Sequence, residues 1–163
     1  MKTLLVMRHA KSDHEEQDQL DHDRPLEQRG RVDAPRMGEF LAKKDMVPNY
    51  ILSSSAVRAR ETAKLVAKGC GFKGECDLKK ELYLAPAKTY IETIKALKTE
   101  VERVLVVGHN PGLEELLLHL TGNTEHMPTA AIARVTLAIN LWKEFGVKTR
   151  GKLMALWLPR ELD

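Results

Sequence analysis

Two short, wholly apolar runs constrain this chain most: Leu4-Leu5-Val6-Met7 near the start and Val104-Leu105-Val106-Val107 further along. Neither alternates, as a strand with one wet face would. Such runs suit strands buried on both faces, the situation created when helices cover both sides of a largely parallel sheet. Each run ends abruptly in reactive side chains. Arg8-His9 follows the first, and Gly108-His109-Asn110 follows the second.

Helical patterns lie around these strands. Pro25-Leu26 leads into a segment ending near Lys44, with Met37, Phe40 and Leu41 as its apolar stripe and Pro35 in an early turn or at a kink. Ile51-Leu52 begins a further strand that Ser53-Ser54-Ser55 ends, and serine there suits a helix cap. Ala59, Ala63, Val66 and Ala67 then share one helix face, which Gly69, Gly71 and Gly74 are expected to break. Another helix is expected around Tyr90–Leu97, and Leu113, Leu116, Leu117 and Leu120 form a helical face after the second apolar run. Ala133, Val135, Leu137 and Ile139 alternate as a half-buried strand. Lys152–Leu158 reads as a last strand, and Gly146 and Gly151 mark the turn of a hairpin between the two. Strands alternating with helices predict an α/β fold with a mostly parallel sheet. With no repeat or linker in view, residues 1–163 read as one domain.

Composition excludes several classes. With 43% hydrophobic and 30% charged residues among 163, the chain has a globular rather than a disordered or fibrous balance. Its net charge of +3 is small and its charges are interspersed, so no nucleic-acid surface is implied. No apolar run is long enough to span a membrane, and the N-terminal run meets Arg8 too soon for a signal peptide. A cytoplasmic location is the resulting expectation. Cys70 and Cys76 match no metal motif and read as free thiols.

In an open α/β sheet, ligands bind beyond the carboxyl ends of the strands. Arg8, His9, Arg58 and His109 all follow strand ends here. Two arginines and two histidines without acidic metal ligands suit a phosphoryl dianion, whose oxygens match guanidinium forks. Helix N-termini after the second and third strands would add amide donors. A neutral imidazole can act as the nucleophile and form a covalent phosphoenzyme. A hydrogen bond at its other ring nitrogen would fix the tautomer. His14, His22, His119 and His126 read as surface or packing residues, and Trp142 and Trp157 as core or interface residues.

Three strings carry a family resemblance. Leu5-Val6-Met7-Arg8-His9-Ala10-Lys11-Ser12 resembles the Arg-His-Gly motif of the histidine phosphatase superfamily. Ser53–Ala63, a serine turn followed by Arg58-Ala59 and Thr62-Ala63, resembles its second motif, and Val106–Gly112 its third. The resemblance implies a three-layer α/β/α, phosphoglycerate mutase-like fold. It implies His9 as nucleophile, with Arg8, Arg58 and His109 binding the phosphoryl group and stabilising its transition state. No metal or other cofactor is implied. The short length and the Asp23-Arg24-Pro25-Leu26 string look most like the SixA-type phosphohistidine phosphatases, which makes Arg24 a further substrate-binding candidate.

The chain departs from the family pattern twice. Ala10 stands where the usual residue is glycine. Many members also carry a proton-donating Glu in a Glu-Leu-x-Glu string; here that string reads Glu81-Leu82-Tyr83-Leu84, so Leu84 stands at the acid. An alkoxide leaving group benefits from a general acid, whereas an imidazole leaving from phosphorus does not depend on one. The expected substrate is therefore phosphohistidine on a protein partner. The alternatives are a small phosphomonoester, with Asp13, Glu15 or Glu16 folding over the site as the acid, and a non-catalytic phosphate-binding module.

Overall fold

A computed structural model describes residues 1–14 and 18–162. Six strands form one sheet: β1 (Lys2–Arg8), β2 (Tyr50–Ser54), β3 (Asp77–Lys79), β4 (Arg103–Gly108), β5 (Ile132–Leu137) and β6 (Gly151–Trp157). Their spatial order is β3-β2-β4-β1-β5-β6. The first four in that order are mutually parallel, and β5 runs against both of its neighbours. The sheet is thus mostly parallel, with the expected antiparallel hairpin at one edge.

The apolar runs sit where double-sided burial requires. Leu4 to Met7 and Val104 to Val107 are fully buried. Leu4, Val6, Val104 and Val106 face one core, and Leu5, Met7, Leu105 and Val107 face the other. The first core is closed by α3 (Ala87–Lys95) and α4 (Gly112–Thr121), whose Leu113, Leu116, Leu117 and Leu120 are all buried. The second is closed by α1 (Gln28–Lys43) and α2 (Val57–Cys70). This is the three-layer α/β/α arrangement.

Three local expectations change. Gly69 lies inside α2 rather than ending it. A Cβ on Gly69 would strike the Pro35 carbonyl, and one on Gly38 would strike the Val66 carbonyl, so these glycines let α1 and α2 pack backbone to backbone. Gly71 ends α2, at φ 75°. Pro35 lies inside α1, beyond its first turn. No serine caps α2. Ala56, whose methyl group can accept no hydrogen bond, holds the cap position, and the Ser54 hydroxyl two residues earlier accepts from the Ala56 N–H instead. The short strand β3 gave no periodic signal, having only Leu78 as a strong apolar residue among three.

Both cysteines are free thiols. Trp142 is buried and its indole N–H donates to the Val101 carbonyl, while Trp157 packs edge-on against Phe40. Among the described residues, no helix is long and apolar enough to cross a membrane.

Candidate functional site

Strand register assembles the site. β1 and β4 are parallel neighbours in which Arg8 faces Gly108, so the next residues, His9 and His109, leave the sheet side by side. Their ring centroids are 5.2 Å apart, with planes inclined at 54°. β2 lies on the other flank of β4 with Ser53 opposite Val107, which brings Ser54 beside His109. Arg58 follows in the first turn of α2 and is almost wholly buried.

The ring of His9 has a defined tautomer. Its Nδ1 lies 2.8 Å from the Ala10 carbonyl. A carbonyl only accepts, so Nδ1 carries the hydrogen and Nε2 carries the lone pair. Burial pushes the pKa of His9 down to about 4, and the neighbouring arginines add to the fall against the opposing Ala10 bond. At neutral pH the ring is uncharged with a free basic nitrogen, the state a nucleophile needs.

The second motif holds this geometry in place. The Thr62 hydroxyl donates to the Arg58 carbonyl at 2.7 Å and accepts from the Ala10 N–H at 2.9 Å. Glu61 accepts from the Leu26 N–H at 3.0 Å. Those two bonds tie both ends of the polar stretch after β1 to α2. Ser12 also bridges to Leu26 within that stretch.

His109 is set by a relay. The Ser54 hydroxyl accepts from the Ala56 N–H at 3.2 Å and lies 2.8 Å from His109 Nε2. The hydroxyl has one hydrogen and two lone pairs; donating that hydrogen to Nε2 places the ring hydrogen of His109 on Nδ1. Burial, then His9 and Arg58, push the pKa of His109 down to about 3. The His109 backbone N–H is also fixed, donating to the Tyr90 hydroxyl at 3.1 Å, and Gly108 has no room for a Cβ against that hydroxyl.

Arg8, His9, Arg24, Arg58 and His109 all line one cleft of about 320 Å³. Three of their buried nitrogens, Arg8 Nε, Arg58 Nε and His109 Nδ1, make no hydrogen bond within the protein. Buried donors ordinarily find partners, and these lie around the His9 ring, an arrangement able to receive an anion. A phosphoryl group there would meet a lone pair on one side and N–H donors on the others. Among the described residues, no cluster of three or more His, Cys, Asp or Glu could hold a metal ion.

Two features went beyond the sequence reading. His14 also lines the cleft, with Arg24 Nη1 2.6 Å from its Nδ1, and His22 Nε2 lies 2.9 Å from the Ser55 hydroxyl. More consequential is Asp21, the one carboxylate lining the cleft among the described residues. It pairs with Arg58 at 3.0 Å and Arg24 at 2.9 Å, and accepts from the Tyr83 hydroxyl. The Tyr83 bond, then those of Arg24 and Arg58, hold its carboxyl well below the usual carboxylate range against some burial. An acidic loop gave no sign of which carboxylate would turn inward. Leu84 lines the cleft at φ 50° and remains largely exposed. Of the acids considered for this loop, Glu15 and Glu16 lie outside the described residues.

Comparison with known proteins agrees with this geometry. The family model for the histidine phosphatase superfamily (branch 1) matches residues 4–83. An uncharacterized protein of Mycobacterium leprae is 32% identical over 167 residues, covering 94% of this chain and 100% of the relative. A structure from Agrobacterium tumefaciens assigned to the phosphohistidine phosphatase SixA is 27% identical with a TM-score of 0.83, covering 97% of this chain and 98% of that one. A structure of the protein histidine phosphatase SixA complexed with tungstate superposes with a TM-score of 0.85 at 24% identity, covering 99% of each chain. The chain belongs to the histidine phosphatase superfamily, has its phosphoglycerate mutase-like fold in the SixA form, and is on that footing a phosphatase.

Proposed function

We propose that the chain moves a phosphoryl group from phosphohistidine on a protein partner to His9, and then to water, without a metal. His9 Nε2 attacks phosphorus while the P–N bond to the partner's imidazole breaks. The departing nitrogen takes its proton from solvent. Water then attacks phospho-His9, releasing inorganic phosphate and restoring the lone pair. Arg8, Arg58 and His109 Nδ1–H neutralise the equatorial oxygens in both steps, and Arg24 extends the same donor wall outward.

One observation carries the choice of a P–N bond: the cleft's described carboxylate is Asp21, and hydrogen-bond donors from three residues keep it ionised. An ionised carboxylate donates no proton to an alkoxide. His109 is neutral, and Leu84 supplies no proton from the rim. An imidazole is the leaving group that such a site can expel. The free thiols fit a reducing, cytoplasmic setting, and residues 1–163 act as a single domain in this reading.

The test is phosphate release from a phosphohistidine-bearing protein and from a panel of sugar and nucleotide phosphates, with wild type and His9→Ala side by side. The expected result is turnover of the phosphohistidine protein alone, lost in His9→Ala. Faster turnover of a phosphomonoester, or activity retained in His9→Ala, contradicts the reading.

A further inference from the structure

Arg58 is held in an unusual way. Its side chain is 3% exposed, and Asp21 supplies its one ion-pair partner among the described residues. That partner grips both terminal nitrogens. Nη1 donates to the Asp21 carbonyl at 2.7 Å, and Nη2 donates to Asp21 Oδ2 at 3.0 Å. Backbone and side chain of one residue thus clamp the fork from its far end. The nitrogen they leave is Nε, the buried donor without a partner in the protein.

Asp21 is itself anchored. Oδ2 accepts from the Tyr83 hydroxyl, and Oδ1 accepts from Arg24 Nε at 3.1 Å and Nη2 at 2.9 Å. Tyr83 in turn presents its ring to the site. The Arg58 Cζ lies 5.9 Å from the ring centroid, and the His109 ring stands edge-on at 5.6 Å. Asp21 belongs to a short 3-10 turn, Asp21–Asp23, so its carbonyl and carboxylate are presented together.

We propose that Asp21 and Tyr83 are a positioning pair that fixes the guanidinium of Arg58 against the transferring phosphoryl group. The inference rests on the phosphoryl-site reading of the cleft. A guanidinium contributes fully to a transition state only if its orientation is set beforehand, because reorganising it during the reaction costs part of its effect. Neither partner touches the reacting atoms in this account. Asp21 acts through Arg58, and Tyr83 acts through Asp21.

A double-mutant cycle read by orthovanadate binding tests this, since orthovanadate adopts the five-coordinate geometry of phosphoryl transfer. Binding is measured by calorimetry on wild type, Asp21→Asn, Tyr83→Phe, Arg58→Ala and the Asp21→Asn/Arg58→Ala double variant, each first shown to be folded by its thermal melt. Asp21→Asn should weaken binding about tenfold and Tyr83→Phe by a smaller factor, with partial recovery in Asp21→Glu. The double variant should bind as Arg58→Ala does. A merely structural role would shift the melt and leave the affinity of the folded protein unchanged, which overturns the proposal. So does tighter binding in Asp21→Asn, the mark of a carboxylate that competes with the substrate, or additive losses in the cycle. Unchanged binding in Arg58→Ala would instead reject the phosphoryl-site reading itself.

Discussion

His9 and His109 stand 5.2 Å apart because Arg8 and Gly108 face each other across two parallel strands. Nearly a hundred residues separate them in sequence, yet each needs only to follow its strand to reach the other. One ring offers a lone pair at Nε2, and the other offers a hydrogen at Nδ1 when the Ser54 hydroxyl donates to its Nε2. A carbonyl that can only accept sets the first ring, and a serine hydroxyl holds the second.

The burial of these rings predicts an acid-side instability. Both folded pKa values, about 4 for His9 and about 3 for His109, lie below the ordinary histidine value. Between those values and about 6.5 the unfolded chain binds more protons than the native one, so stability rises with pH there. It should be full above pH about 6.5 and fall as the pH drops toward about 4, with a slope of up to two protons. Urea titrations across that range measure it, and His109→Asn should reduce the slope by about one proton.

Turnover should follow the same ionisation. Only neutral His9 attacks, so kcat/KM should be flat from neutrality into mildly acidic solution and decline as the pH approaches about 4. A decline centred near the ordinary histidine value would mean that His9 is not buried in the way described.

Thr62 predicts a linked loss of stability and activity. Thr62→Val removes the acceptor of the Ala10 N–H and strands a buried donor, at a cost of about 1–3 kcal/mol. It also frees the segment whose carbonyl sets the His9 tautomer, so kcat should fall in protein that is still folded. Chemical denaturation and steady-state kinetics on the same variant separate the two effects.

Much of this was legible in the chain and some was not. The all-apolar runs defined β1 and β4, because double-sided burial leaves no polar face, and the residues after them defined the paired histidines. Gly69 was misread because its purpose is interhelical: the Pro35 carbonyl that it admits belongs to another helix. Asp21 was hidden for a similar reason. Nothing local distinguishes it from its acidic neighbours, and only the meeting of Arg58, Arg24 and Tyr83 in space selects it.

Gly38 offers a packing prediction that leaves the cleft alone. In Gly38→Ala the new Cβ meets the Val66 carbonyl, a backbone atom that moves only with its helix. Stability should fall by about 1–3 kcal/mol, with activity per folded molecule retained. A thermal melt with parallel kinetics checks both parts.

Leu84 predicts a gain of function. Leu84→Glu places a carboxyl at the cleft rim, at a residue already in the left-handed region and largely exposed. Turnover of an alkyl phosphomonoester should rise about tenfold or more, with an acid limb in its pH profile, while phosphohistidine turnover changes little. No rise would mean that leaving-group protonation is not what restricts the substrate.

The nucleophile itself can be trapped. Rapid acid-free quenching of the enzyme mixed with a radiolabelled phosphohistidine protein, followed by peptide mapping, reads where the phosphoryl group resides. The account predicts a base-stable, acid-labile label on His9, absent in His9→Ala. Label on another residue, or turnover without any labelled enzyme, would contradict it.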